Sequence, residues 1–204
     1  LGLSDDTPLL LASASPRRRE LLASVGLPLV VDPVGADESE REGEPPEVYL
    51  ERVVRAKLHA SRDRAAGSIA ARLVADTIVV ADGRVLGKPR DRAEAIEIVS
   101  ALSGRAHEVK TRFHVERVGP EPQRELARTV TTRVHVRELP RAWIERYADT
   151  GEGSDKAGAY AIQGRFAFAV ERVEGSYTNV VGLPLCEVVA ALDGLGLIPR
   201  FLAP

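Results

Sequence analysis

Three consecutive arginines, Arg17, Arg18 and Arg19, follow Ser13-Ala14-Ser15-Pro16 where a helix is predicted to start. Serine is a preferred N-cap, and proline is pre-set for the first helical position, so the start is fixed here. The N-terminal end of a helix carries partial positive charge, and each cation there is disfavoured by about 0.3–1 kcal/mol. The third helical position, where a capping box would place Glu or Gln, holds Arg18. A bound polyanion removes the conflict, because arginine forks and free backbone N–H groups then converge on phosphate oxygens. Ser13 and Ser15 add hydroxyl groups at the same place. The alternative, a solvated helix face, leaves the Ser-Pro start unexplained.

Asp76 sits inside the apolar and β-branched run LVADTIVV. An ionised carboxylate in such a setting is costly unless a cation or strong donors meet it. It reads as a metal ligand or as a general base for water, with capping a turn or pairing with Arg72 as the structural alternatives. Glu38, in the acidic stretch GADESER, is a candidate second ligand, although its neighbours Asp37, Glu40 and Glu42 equally suit a solvated loop. Oxygen ligands beside phosphate point to Mg²⁺ or Mn²⁺, and the four histidines have no zinc-like spacing. Of 28 cationic residues only Lys57, Lys88, Lys110 and Lys156 are lysine, and a chain that habitually uses Arg can keep Lys where a compact ammonium is needed. Lys88 in GKP and Lys156 in SDKAGAY could reach phosphate, and Lys57 precedes Leu58 on a predicted helix; each could equally be a surface charge. Gln163 can read a base edge with both donor and acceptor.

Other nucleotide chemistries lack their motifs. GRVLGKP has three residues between its glycines and a proline where a P-loop needs Ser or Thr, and no GxGxxG fingerprint occurs. A net charge of −2 and 4% aromatic content argue against nucleic acid as a partner. The single cysteine, Cys186, excludes an internal disulfide framework and suits a reducing compartment. The first residues carry no basic, apolar leader, and no segment reads as a membrane span, so the expectation is a cytoplasmic protein.

The elements that must position these residues form an interspersed α/β pattern within 204 residues, enough for one ordinary domain. Residues 8–13 and 29–34 read as short strands. Between them lies the helix from Pro16, ended by Gly26. A helix follows Pro45-Pro46, with Val48, Val53, Val54 and Leu58 on its apolar face. Asp82-Gly83 is a type I′ hairpin signal between two β-rich runs. Asp91 and Glu94 open the helix DRAEAIEIVSAL in capping-box fashion. Residues 107–118 and 124–138 alternate as two long strands, expected to pair antiparallel. A helix from Pro140, a glycine-rich loop at 150–164, a strand over 166–175 and a closing helix from Pro184 complete the chain. The antiparallel signals favour a mixed sheet over a doubly wound parallel one.

In order, LASASPRRRELL, ADTIVV, GKPRD, SGRAHEV, SDKAGAYAIQG and GSYTNVVGLPL resemble the Maf family, nucleoside triphosphate pyrophosphatases also described as septum-formation inhibitors. The resemblance covers nearly the whole chain. It implies a single domain over 1–204, with a mixed α/β, inosine triphosphatase-like fold and two lobes around a cleft. It also implies metal-dependent hydrolysis between the α and β phosphates. The family's functional positions fall on Ser13, Arg17, Arg18, Glu38, Lys57, Asp76, Lys88 and Gln163, and Lys156 lies in the DKAGAY block. Asp76, Lys57 and Lys88 are then catalytic, Asp76 and Glu38 hold the divalent ion, and Ser13, Arg17, Arg18, Lys156 and Gln163 bind substrate. SPRRRELL with DKAGAYAIQG resembles the branch acting on dTTP and UTP, with modified pyrimidine nucleotides left open. Arg19 departs from a frequent glutamine, and the tail GLGLIPRFLAP extends past the common core. Family members often dimerise, which makes a homodimer an open expectation. A non-catalytic, nucleotide-binding regulator of cell division is the rival class.

Overall fold

The computed structural model describes residues 2–64, 67–119 and 124–198. Gln123 and the last part of the tail lie outside the described residues. Strand β1 (Leu9–Leu11) is buried at all three positions and runs parallel to β2 (Leu29–Val31) and to β3 (Ala71–Ala81). Its register pairs Leu9 with Leu29 and Ala71, and Leu11 with Val31 and Leu73. Helix α1 (Pro16–Ser24) joins β1 to β2, and Gly26 beyond its end takes the left-handed conformation, φ 69°. The second strand is shorter than the sequence suggested. It stops at Asp32-Pro33, where proline has no N–H to donate.

Helix α2 (Pro46–Arg62) buries Leu50, Val53, Val54 and Leu58. Val48, expected on the apolar face, is exposed, and Tyr49 is buried in its place. Strand β3 meets β4 (Arg84–Leu86) in an antiparallel hairpin whose turn residues, Asp82 and Gly83, both have positive φ, as a type I′ turn requires. Helix α3 (Arg92–Leu102) opens on Asp91, whose Oδ1 accepts the N–H of Glu94 at 2.9 Å. The Glu94 carboxylate reaches back to the N–H of Arg90.

Strands β5 (Ala106–Arg117) and β6 (Glu125–Val136) are neighbours. Arg117 N–H donates to the Arg124 carbonyl, and Arg112 bonds Thr129, partners that advance in opposite directions, so the pair is antiparallel. Helix α4 (Arg141–Asp149) packs on α3. Two 3₁₀ turns (157–159 and 165–169) lead to β7 (Val170–Glu174), followed by α5 (Tyr177–Val181) and α6 (Leu185–Gly194). The strand expected over 166–175 therefore begins only at Val170, and α5 was not foreseen. The sheet order is β2-β1-β3-β5-β6-β7, with β4 on β3. This is the mixed α/β sheet expected, and it is open.

Two compact units divide the chain. The first holds the described residues up to Asp76, those within Arg112–Thr129 and those from Gly182. Its core includes Leu9, Leu11, Leu22, Leu50, Leu73, Phe113 and Leu192. The second holds Thr77–Thr111 and Val130–Val181. Its core includes Val99, Leu102 and an aromatic cluster in which Phe166 lies 5.0 Å from Tyr147 and 4.8 Å from Tyr160. Strands β3, β5 and β6 run through both units. Among the described residues, no helix is long and apolar enough to cross a membrane.

Candidate active site

Asp76 ends the first segment of the first unit, at the middle of β3 after a run of buried apolar neighbours. Its Oδ1 accepts a 2.7 Å hydrogen bond from the Lys57 ammonium. Glu38 Oε1 lies at the same distance, 2.7 Å, from that nitrogen. Lys57 thus stands between two carboxylates. Its side chain is 8% exposed and that of Asp76 12%, whereas Glu38 is 46% exposed. Arg72, the partner considered for Asp76 from sequence, pairs instead with buried Glu116, which also takes Arg62.

Helix α2 supplies Lys57 from its buried face, and its Tyr49 and Arg52 hold the acidic loop in place. The Tyr49 hydroxyl donates to the Glu38 carbonyl at 2.9 Å. Arg52 binds both oxygens of Glu44, Nε to Oε1 at 2.7 Å and Nη2 to Oε2 at 2.6 Å, and donates from Nη2 to the Ser39 carbonyl at 2.8 Å. Asp37 accepts from both the N–H and the hydroxyl of Ser39. The stretch is an organised loop that presents Glu38 to Lys57. Burial and the Asp76, Glu38 and Glu40 charges push the Tyr49 phenol up to about 12, so it stays a donor at neutral pH. Tyr49 and Arg52 were missed from sequence, although Tyr49, Val53 and Lys57 recur every four residues and Arg52 follows Tyr49 by three.

The three arginines have separate fates. Arg18 is buried. Its Nε donates to the Gly182 carbonyl at 2.9 Å, and its Nη1 to the Ala75 carbonyl at 2.9 Å and to Ser13 Oγ at 3.0 Å. Burial lowers its pKa, against the opposing pull of Asp76 and then, after a push from Arg17, of Glu38. Inside the protein, therefore, Arg18's charge at the helix start is met by carbonyls and carboxylates. Ser13 Oγ also accepts the N–H of Ser15 at 3.3 Å, and Ser15 makes no side-chain cap. Arg17 is half-buried and Arg19 exposed. In this unit the structure brings together Ser13, Arg18, Glu38, Lys57 and Asp76.

Lys88, Lys156 and Gln163 belong to the second unit. Lys88 is exposed just after β4, and its neighbour Gly87 accepts the N–H of Gly158 at 3.1 Å, which ties the GKP segment to the glycine-rich loop. Gly158 has φ 74°, and a Cβ there would come within 2.9 Å of Val79. Lys156 turns back on its own loop, donating to the Glu152 carbonyl at 2.6 Å and pairing with Asp155. Gln163 is exposed on the turn that follows.

Among the described residues, no group of three or more His, Cys, Asp or Glu side chains gathers around one point. A hard divalent ion needs no such cage, because Mg²⁺ is commonly held by one or two carboxylates with substrate phosphates and water completing its shell. Asp76 and Glu38, both within reach of one ammonium, are oxygen donors of that kind, and the donor chemistry fits.

Comparison with known proteins shows the family. The family model described as Maf-like protein matches residues 8–195. A protein of Anaeromyxobacter dehalogenans named dTTP/UTP pyrophosphatase is 50% identical over 188 residues, 92% of this chain and 94% of its own. Proteins of the same name from Geotalea uraniireducens and Myxococcus xanthus are each 46% identical, covering 93% and 95% of this chain and 96% and 95% of their own lengths. With the Lys57-centred cluster set among the blocks that carry the resemblance, and with this match along nearly its whole length, the chain belongs to the Maf family.

Proposed function

We propose that this protein hydrolyses pyrimidine nucleoside triphosphates, dTTP and UTP first, between the α and β phosphates. The products are the nucleoside monophosphate and pyrophosphate. The observation that carries the reading is the Lys57 ammonium held at 2.7 Å from both Asp76 and Glu38. A buried carboxylate oriented by a 2.7 Å hydrogen bond, on a strand, is placed to accept a proton from water. The relatives named dTTP/UTP pyrophosphatase support the substrate class.

In the proposed reaction a water oxygen attacks the α-phosphorus in line. One water proton passes to Asp76, the new P–O bond forms, and the bond to the oxygen bridging to the β-phosphate breaks. Pyrophosphate leaves with that electron pair. Lys57 orients Asp76 through their hydrogen bond and offsets negative charge as the phosphates rearrange. Ser13 and Arg17 bind the triphosphate, while Arg18 fixes Ser13 and the Ala75 carbonyl next to Asp76. Lys88 and Lys156 are assigned to phosphate and Gln163 to the pyrimidine edge. A divalent cation at Asp76 and Glu38 supplies charge neutralisation and a more acidic bound water when present. We assign the activity to the cytoplasm, where it would clear pyrimidine triphosphates from the nucleotide pool.

The test is pyrophosphate release from dTTP, UTP, CTP and GTP with Mg²⁺ or Mn²⁺, with products resolved by chromatography. Monophosphate and pyrophosphate are expected from the pyrimidine triphosphates. Asp76→Asn is expected to lower kcat by about 10²–10⁴, the range for losing a positioned base, with nucleotide binding retained. Release of inorganic phosphate, or unchanged turnover in Asp76→Asn, would overturn the mechanism. Binding without turnover by the wild-type protein would favour a regulator.

A further inference from the structure

The second unit contains a buried polar assembly that the reaction above does not use. Glu152, in the glycine-rich loop just after α4, is half-buried and aims its carboxylate at the start of the second 3₁₀ turn. Oε1 accepts the N–H of Arg165 at 2.9 Å, and Oε2 that of Phe166 at 3.4 Å. On the other side of the same turn, the N–H of Ala161 donates to the Tyr147 hydroxyl at 3.2 Å. Tyr147 is buried and in turn hydrogen-bonds the Glu152 side chain. Backbone groups on both flanks of Ile162-Gln163-Gly164 are therefore tied, directly or through one phenol, to a single carboxylate. Gln163 itself is exposed at the apex.

Two glycines show how closely the assembly is built. A Cβ on Gly164 would lie 2.4 Å from Glu152 Oε1, within the space the carboxylate occupies. Gly164 has φ −108°, a value open to alanine, so a methyl group there would act by pushing Glu152 away and not by straining the backbone. A Cβ on Gly153 would lie 1.9 Å from the Ala159 carbonyl, which keeps the chain on the far side of Glu152 pressed against the loop.

We infer that Glu152, acting with Tyr147, is a positioning residue for substrate selection: its carboxylate sets the turn that presents Gln163 to the nucleobase. The inference rests on the proposed reading of Gln163 as the base contact. An amide discriminates bases only if its donor and acceptor are held in a fixed direction, and a turn with three of its flanking N–H groups anchored provides that. Loss of the anchor leaves Gln163 chemically intact but free to turn, which weakens discrimination more than it weakens the chemical step.

The experiment compares kcat and KM for dTTP and CTP in Glu152→Ala, Glu152→Gln, Gly164→Ala, Gln163→Ala and the double variant Glu152→Ala/Gln163→Ala. Circular dichroism and thermal melting report folding for each. In Glu152→Ala and Gly164→Ala the dTTP/CTP ratio of kcat/KM is expected to fall about tenfold, largely through KM for dTTP, as when a recognition hydrogen bond is lost. Glu152→Gln keeps one acceptor and recovers part of the ratio. The double variant falls no further than Gln163→Ala, because both act through one contact. If Gln163→Ala shifts the ratio and a folded Glu152→Ala does not, the inference is overturned and the base reading stands. If Glu152→Ala and Gly164→Ala shift it and Gln163→Ala does not, the base reading fails and with it the inference that Glu152 acts by presenting Gln163. No shift in any variant overturns both. If Glu152→Ala does not fold, Gly164→Ala decides, since it keeps the charge and displaces only its position.

Discussion

Replacing Lys57 by methionine tests whether the three-residue cluster is a single electrostatic unit. The two ion pairs have the same length, 2.7 Å, but differ in environment. Asp76 is 12% exposed and Glu38 46%. Taking one member from a buried pair costs about 3–5 kcal/mol, because the remaining charge is stranded in low dielectric. An exposed pair contributes about 0–1 kcal/mol. Lys57→Met should therefore destabilise the fold by about 3 kcal/mol or more, nearly all of it through Asp76. Glu38→Gln should cost less than about 1 kcal/mol, because its carboxylate was already hydrated. Asp76→Asn should fall between them, since Lys57 keeps Glu38 as partner. The double variant Lys57→Met/Asp76→Asn should recover much of the single loss, because no uncompensated buried charge remains. Urea unfolding at pH 7, with midpoints compared at constant m, reads all four. Against a typical total stability of about 5–15 kcal/mol the largest effect is easily resolved. If Lys57→Met lies within about 1 kcal/mol of wild type, or the two substitutions simply add, the reasoning fails.

Two further outcomes follow from buried groups. Arg18→Met strands the Ala75 and Gly182 carbonyls, so it should destabilise by about 3 kcal/mol and also lower turnover, whereas Arg17→Ala should mainly raise KM for the triphosphate. His107 is buried, and desolvation, with the nearby His135 adding, pushes its pKa down to about 4. The unfolded chain binds that proton below about pH 6.5 while the folded protein resists it until about 4. Its contribution is thus flat above 6.5 and falls by ~3 kcal/mol as the pH drops to 4. Chemical denaturation at pH 7.5, 5.5 and 4.5 should show this slope, and His107→Asn should reduce it.

Features set by adjacent residues were legible in the sequence. Asp82-Gly83 gave the I′ hairpin because both positions must take positive φ, and Asp91 gave the α3 cap because its side chain needs only the next turn's N–H. Pro16 and Gly26 likewise bounded α1. One misreading occurred where a distant group satisfied the backbone. FAFA has strand composition, yet Arg165 and Phe166 donate to Glu152, so the segment turns as 3₁₀ and β7 starts late. Nothing near Phe166 in sequence announces that carboxylate.

The candidate site divides along the same line. The residue types and blocks proposed for it, Ser13, the arginines, Glu38, Lys57, Asp76, Lys88 and Gln163, were expectations open to the sequence, since chemistry and motif order need no coordinates. Which of them meet was decided by tertiary structure. A buried charge takes its partner from whatever the packed elements bring within reach: Asp76 found Lys57 on α2 rather than Arg72 on its own strand. Arg18 found carbonyls at Ala75 and Gly182 rather than open solvent. Composition says a carboxylate in an apolar strand must be compensated, and only the packing of α2 against β3 determines by what.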